Sequence, residues 1–485
     1  MAALSQAELV ELVAGLLARL ETLEVDNQQL RAENQRLRAE LAKNSGNSSK
    51  PPSRDPAVER SRQAEARRAK RSRDGKVRRP GKQPGGDGTT LAMVENPDEV
   101  VVYAPAVCAG CGGSLTDAEV TATVHRQVVD LPVVTPTVTE HQAQTRRCGC
   151  CNTTTAAAFP DGVRAPVSYG PRVKAIVVYL LARQHIPVGR AQEAMADLFG
   201  LKISAGTVDA CYAEAGRRLE GFIAALVAFL RTLPVLHADE TTDRIGTVTC
   251  WMHVVSTASY TLIHASATRG LEAVRTAGVL IGYRGVIVHD RLALYWKLTA
   301  ARHGICSAHL LRDLAQAATV ATQKTWAEGL AGLLVEINTA CDDARHRGLK
   351  TLAPAARNAF NSRYDHLVAA ALAANPDPPA GRKRDALARQ SYNLAVAFRT
   401  HKKPILAFMN NLAVGMTNNQ AERDLRPVKL HRKISSCFKS QAGAERFAHV
   451  RSYLSTTRKN DIPAIDALTG LFTGNPWMPP VTHAA

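Results

Sequence analysis

Val235-Leu236-His237-Ala238-Asp239 carries an apolar run into a carboxylate, and Gly285-Val286-Ile287-Val288-His289-Asp290 repeats the pattern later in the chain. Short β-branched runs bounded by turn residues read as buried strands. Between them, residues 248–256 and 260–265 are β-rich and turn-bounded, as in a meander, and a helix is expected near residues 270–280. Acids closing two neighbouring strands would face one another. Like charges so close are unfavourable unless one is protonated or a metal bridges them. Hard oxygen ligands at strand ends point to magnesium or manganese. Glu240 and Asp243 stand beside Asp239 as alternatives.

A third acid is wanted from elsewhere in the chain. Thr417-Asn418-Asn419-Gln420-Ala421-Glu422-Arg423-Asp424-Leu425-Arg426-Pro427 offers Glu422 inside a basic tract. An acid on a helix within a basic surface suits a site that draws a phosphate backbone toward metal. The Asn419-x-x-Glu422 spacing is equally that of a capping box, in which Glu422 would merely satisfy a helix end.

Upstream, Cys108-x-x-Cys111 is followed by Gly112, and Cys148-Gly149-Cys150-Cys151 by Asn152. Two such knuckles suit a tetrahedral four-thiolate zinc site, structural because it is closed. Cys108, Cys111, Cys148 and Cys151 are the ligands expected, with Cys150 an alternative to Cys151. The Val-rich stretch 124–138 between them is expected to supply ribbon strands. Residues 171–184, 188–199 and 204–219 read as three helices, with Gly200-Leu201 a turn and Ser204 an N-cap. That order fits a helix-turn-helix, and also an ordinary helical bundle.

At the N-terminus, Leu9, Leu16, Leu23, Leu30 and Leu37 recur every seven residues. The a positions are Val13, Leu20, Asn27, Asn34 and Leu41, and the pairs Arg19/Glu24, Asp26/Arg31 and Glu33/Arg38 are opposite in sign. A parallel dimeric coiled coil accounts for all three patterns. Residues 43–90 then hold fourteen Lys/Arg against five acids, with Ser, Gly and Pro among them. This reads as a disordered tether able to bind phosphates without reading sequence.

The whole chain has 485 residues, too many for one ordinary domain. With 61 Lys plus Arg against 43 acids the net charge is +18, which attracts polyanions. Aromatics at 5% argue against a sugar- or lipid-binding protein. There is no apolar run long enough to span a membrane and no signal-peptide layout at Met1, so a cytoplasmic, nucleoid-associated protein with reduced cysteines is expected.

Several blocks together resemble the transposases of the insertion-sequence-66 family. They are residues 237–241 (His-Ala-Asp-Glu-Thr), the strand ending at Asp290, Cys306-Ser-Ala-His309-Leu-Leu-Arg312, Asn418-Asn-Gln-Ala-Glu-Arg423, and Lys433-Ile-Ser with Arg451-Ser-Tyr and Thr457-Arg-Lys459. The resemblance covers nearly the whole chain. It implies a DDE transposase whose RNase H-like core holds Asp239, Asp290 and Glu422 as a triad. Two magnesium (or manganese) ions would then serve cleavage and strand transfer at transposon ends. Arg423, Arg426, Lys429, Arg432 and Lys433 would steer DNA phosphates. Transposon-end and target DNA, a second copy of the chain and accessory transposition proteins are the implied partners. One departure from the family is the second knuckle, where Cys148-Gly-Cys-Cys-Asn152 replaces the usual Cys-x-x-Cys-Gly.

The expected fold is multidomain α/β. Residues 1–42 form the coiled coil, 43–95 the basic linker, 96–165 the zinc ribbon and 166–232 a helical DNA-binding domain. Residues 233–304 and 415–475 form the core, interrupted by a helical insertion over 305–414, and 476–485 form a tail. Cys306 and His309, one helical turn apart, read as a packed helix face, and Trp296 as a core residue. Two other functions fit the same residues: a non-catalytic DNA-binding protein, or a nuclease that cuts without joining.

Overall fold

The computed structural model describes residues 91–377, apart from 161 and 164, and 386–480, with scattered positions between 15 and 69. Leu9, Val13, Leu41 and most of the basic linker lie outside the described residues. The chain divides into two units, Met1–Pro56 with Val138–Ala485, and Ala57–Thr137.

In the larger unit a two-stranded ribbon, β1 (Thr145–Arg147) and β2 (Thr154–Ala156), pairs antiparallel around the second cysteine knuckle. Helices follow: α1 (Pro171–Val178), extended by a π turn through Arg183, then α2 (Val188–Phe199), α3 (Ala205–Arg218) and α4 (Glu220–Leu230). Gly200 closes α2 at φ 65°, a left-handed conformation that glycine adopts without a Cβ penalty. Ser204 accepts from the Thr207 amide, the expected N-cap. Val208, Cys211 and Ala215 bury one face of α3. Its exposed first two turns, including Asp209, carry no Lys or Arg. Helix, left-handed Gly turn and capped helix thus occur in the expected order, and the first two turns of the third helix offer phosphates little.

A five-stranded sheet follows in the order β5-β4-β3-β6-β7. β3 (Val235–Ile245), β4 (Val248–Ser256) and β5 (Thr261–Ser266) form an antiparallel meander. After α5 (Leu271–Ala277), β6 (Val286–His289) and β7 (Arg302–Ile305) join parallel to β3. β3 does not stop at Asp239. It runs on to Ile245 because the tight turn at Gly246 (φ 57°) returns β4 along its whole length. The Val-rich stretch 124–138 forms no strand. Val124, Val128 and Val138 are exposed, and no ladder pairs them.

The helical insertion begins with α6 (Ser307–Ala317), α7 (Ala321–His346), α8 (Pro354–Ala373) and α9 (Ala386–Thr400), ending in two short turns. It packs Leu310, Leu314, Leu330, Leu334 and Phe398 into one apolar cluster with Val288 and Ile305 of the sheet. Trp296 lies partly buried at the edge of this cluster, its ring stacked on His401 at 4.2 Å. Last come α10 (Asn419–Ser435), α11 (Gln441–Lys459) and α12 (Ala464–Phe472).

Strand alternation decides what each sheet face meets. Leu236, Ala238, Val255 and Leu262 face a core shared with α4 and α12. Met252, Val254, Ile263 and Ala265 face the other way, against Ala421, Leu425 and Val428 of α10 and Phe447 of α11. Edge strand β5 is stitched to α11 by side chains. Ser452 Oγ accepts from the Ile263 amide at 2.7 Å, and Thr456 Oγ1 from the Thr261 amide at 3.1 Å. These bonds occupy backbone groups that an open sheet edge would leave unpaired.

Candidate active site and zinc knuckles

β3 and β6 pair with a constant offset, Val235 opposite Val286 and His237 opposite Val288. Continued by two residues, that register sets Asp239 level with Asp290. Asp239 pairs across the meander with Val254, so its side chain shares the face that α10 covers. Ala421 is fully buried there, which brings Glu422, the next residue, to the acids. Burial is the main reason the Asp239 carboxyl is pushed up to about 7. The charges of Glu240, Asp290 and Glu422 add to it, against the Glu240 amide, which donates to Asp239 and lowers it. Asp290 and Glu422, remote in sequence, thus both reach Asp239.

The two alternatives to Asp239 are otherwise engaged. Glu240 points to the opposite face, where Arg269 donates to its Oε1 at 2.7 and 3.0 Å and the Tyr295 hydroxyl to its Oε2 at 2.7 Å. Arg269 is itself laid over the Trp251 ring at 4.8 Å. Asp243 is 1% exposed and sits further along β3, its carboxyl raised by burial.

Glu422 does not cap its helix. The N-cap is Asn418, whose side chain is turned away: Nδ2 donates to the Ala238 carbonyl at 2.8 Å and Oδ1 lies 3.1 Å from His237 Nδ1. Glu422 Oε1 is buried with no hydrogen-bond partner. A carboxylate oxygen in that state is costly unless a cation or proton meets it. Cys306 and His309 are not merely a packed helix face. With Glu422 they bring three ligand atoms within 4.8 Å of one another, and His309 Nδ1 is also buried without a partner. Cys306 Sγ further receives the Asn418 amide at 3.1 Å, so one loop positions both Glu422 and the thiol. Among the described residues, Cys306, His309 and Glu422 are the set whose ligand atoms gather this closely, and the Asp290 charge also acts on His309.

Basic residues lie next to these acids. A cavity of about 840 Å³ is walled by Arg423, Arg426, Lys429 and Lys433 of α10. Arg432 is not on that wall; its charge acts on buried Asp243. Arg183, Arg451 and Arg458 complete the cavity. Arg451 and Arg458 lie in blocks that the sequence had marked, but nothing along the chain placed them beside Arg183.

The two cysteine knuckles share one backbone pattern. The Cys108 amide donates to Gly113 and the Gly112 amide to Cys108; the Cys148 amide donates to Thr153 and the Asn152 amide to Cys148. Gly112 (φ 73°) and Asn152 (φ 60°) occupy the same left-handed position, so Asn replaces Gly there at modest cost. The Cys108 thiol is lowered mainly by the Cys111 and Gly110 backbone amides, then by the Cys111 thiol. The Cys148 thiol is lowered mainly by the Cys151 and Cys150 amides, then by the Cys151 thiol, with a smaller contribution from the Cys150 thiol. Each knuckle thus presents a thiol prepared to ionise, as a zinc ligand must.

Residues 166–446, well over half the chain, match the family described as transposase IS66 family. The chain belongs to the IS66 transposase family. Residues 105–152 match the zinc-finger binding domain of transposase IS66, which spans both knuckles, and residues 2–90 match a family of unknown function. The IS66 chain is also similar to the uncharacterized protein y4hP of Sinorhizobium fredii (strain NBRC 101917 / NGR234). The two are 24% identical over 411 residues, covering 75% of this chain and 70% of that protein. No helix among the described residues of this IS66 transposase is long and apolar enough to cross a membrane.

Proposed function

We propose that this IS66-family protein is a DDE transposase that cleaves DNA at the ends of an insertion sequence and joins the freed strand to target DNA. Asp239, Asp290 and Glu422 are its catalytic acids, carried on an RNase H-like core. The carrying observation is that the charges of Asp290 and Glu422 both reach the Asp239 carboxyl, which burial chiefly holds near 7, while a buried Glu422 oxygen goes unpartnered. The sheet order, a three-stranded meander followed by two parallel strands, supports the core assignment.

Bound magnesium or manganese would supply Lewis-acid polarisation of a phosphoryl oxygen and an activated water or 3′-hydroxyl. The protein's own contribution is to hold ligands and DNA. Asp239 and Asp290 are fixed by strand register, and Glu422 by the Asn418 tether to β3. Arg423, Arg426, Lys429 and Lys433, with Arg432 nearby, attract the phosphate backbone. Structural zinc is held through the cysteine knuckles, Cys108/Cys111 and Cys148/Cys151, as the zinc-finger match supports. Leu16, Leu20, Leu23, Leu30 and Leu37 are exposed on helical residues of a single chain, which supports pairing of two copies through this segment.

The test is a strand-transfer assay with duplex transposon-end DNA and magnesium. Joined product from the wild type, and its loss in Asp239→Asn, Asp290→Asn and Glu422→Gln, is expected. Joined product persisting in all three variants would sink the assignment. Cleavage without joining would make the protein a nuclease, and duplex binding with no cleavage a DNA-binding protein only.

A further inference from the structure

Arg183 ends the π turn after α1, and Arg451 and Arg458 sit two turns apart on α11. All three line the 840 Å³ cavity. Arg451 is 5% exposed, its Nε has no hydrogen-bond partner, and its Nη1 reaches the Ala182 carbonyl only at 3.4 Å. Among the described residues, none of the three arginines forms an ion pair with a carboxylate. Asp424, the one acid on the cavity wall, is taken by Lys459 at 2.7 Å and by Gln420 at 3.0 Å. His185, 2% exposed and held at φ 58°, lines the same cavity with Nδ1 unpartnered.

Burying a guanidinium among like charges is unfavourable unless something compensates it. Burial first, then the charges of Arg183 and Arg458, draw Arg451 down to about 10. The cost recurs at His185, pushed down to about 4 by burial and then by Arg451. Asp424 offsets this only as the smallest of the influences on Arg451, being held by Lys459. Guanidinium groups match phosphate oxygens in a fixed fork, and clustered arginines are the usual means of holding one.

We propose that Arg183, Arg451 and Arg458 form a pocket that grips one backbone phosphate of DNA, separate from the acidic cluster. A polymer suits the site better than a free anion. The cavity continues along the α10 cations, a row that a single phosphate would leave unused. The proposal rests on the reading that the protein acts on DNA. It adds a second grip, on a helix, α11, that also secures the sheet edge.

The test uses the full-length protein in buffer free of phosphate and sulfate. Inorganic phosphate should raise the melting temperature of the wild type saturably. The response should vanish in the Arg183→Gln/Arg458→Gln double variant, whose substituted side chains are only partly buried or exposed. Arg451→Met, tested beside it, should melt no lower than wild type without phosphate and gain nothing when phosphate is added. With duplex DNA, the slope of log affinity against log salt should fall by about 0.9 for each phosphate no longer neutralised. Arg363→Gln, on the helical insertion, should leave that slope unchanged. No wild-type response to phosphate, or an equal response in every variant, would overturn the pocket. A phosphate response with an unchanged duplex slope would overturn DNA as its occupant. Failed strand transfer with both responses intact would remove the transposase reading and leave the pocket standing.

Discussion

Asn418 links the turn before α10 to strand β3, with its Oδ1 3.1 Å from His237 Nδ1 and its Nδ2 2.8 Å from the Ala238 carbonyl. Because Asn418 Oδ1 accepts, the His237 proton belongs on Nδ1. Burial holds this imidazole below its usual pKa, so a neutral ring makes the bond. The bond sets the height of Glu422 over the sheet. Replacing Asn418 by Leu leaves two buried groups unpaired, at about 1–3 kcal/mol. Strand transfer should fall at least tenfold further than the lost folded fraction explains, as read by urea unfolding beside the activity assay. Equal losses would make Asn418 purely structural.

The acid cluster should oppose stability in the metal-free protein. Asp239 titrates near 7 folded and near 4 when unfolded. Between those values the folded state holds a proton that the unfolded state lacks. The resulting stabilisation is full below about 4 and is lost as pH rises through 7. Asp239→Asn should therefore melt higher than wild type at pH 8, by a few degrees, and show little gain at pH 4. Catalysis should be lost at both. A variant less stable at pH 8 would contradict the charge crowding.

Ser452 and Thr456 carry the edge of the sheet. Ser452→Ala should cost about 1–3 kcal/mol by leaving the Ile263 amide unsatisfied, and Thr456→Val a similar amount at Thr261. Amide exchange at residues 261 and 263 should accelerate in the matching variant. Unchanged protection would mean that another group covers the edge.

Buried neutral histidines make the fold sensitive to acid. His289, fully buried against Tyr295 and Trp296, is pushed down to about 3, chiefly by burial, and His185 to about 4. Both lie below the ordinary value near 6.5, so the unfolded chain takes up protons that the folded one refuses. Their stabilisation is complete above 6.5 and declines by about 1.4 kcal/mol per pH unit for each group as pH drops toward 4. Phosphate-free urea titrations of wild type and His289→Gln over that range should show the smaller slope in the variant.

Zinc should belong to the knuckles and not to the sheet. Cys108→Ser and Cys148→Ser should each lower bound zinc, measured by atomic absorption, while leaving the melting of the catalytic core within about a degree. Full zinc content in both variants would exclude these thiols as ligands.

Much of this molecule could be read along the chain because its signals are local. The cysteine knuckles need only four consecutive residues and a left-handed position after them. Ser204 and Gly200 mark helix ends through their own backbone chemistry. The strands at 235 and 286 announce themselves by β-branched runs, though Asp239 proved to be mid-strand because Gly246 lets the partner strand return. Charge counts forecast a polyanion partner without reference to any tertiary neighbour.

What folding alone decided are relations between distant residues. Neither the Asn419-x-x-Glu422 spacing nor the Cys306-x-x-His309 spacing says where its side chains point. Burial of Ala421 against β3 and β4 turns Glu422 inward, and the Asn418 bond to Ala238 keeps it there. Arg183 and Arg451 stand far apart in sequence, and no local pattern links them. They share a cavity because α1 and α11 pack around the same core, and the charge imbalance between them exists only once those helices meet.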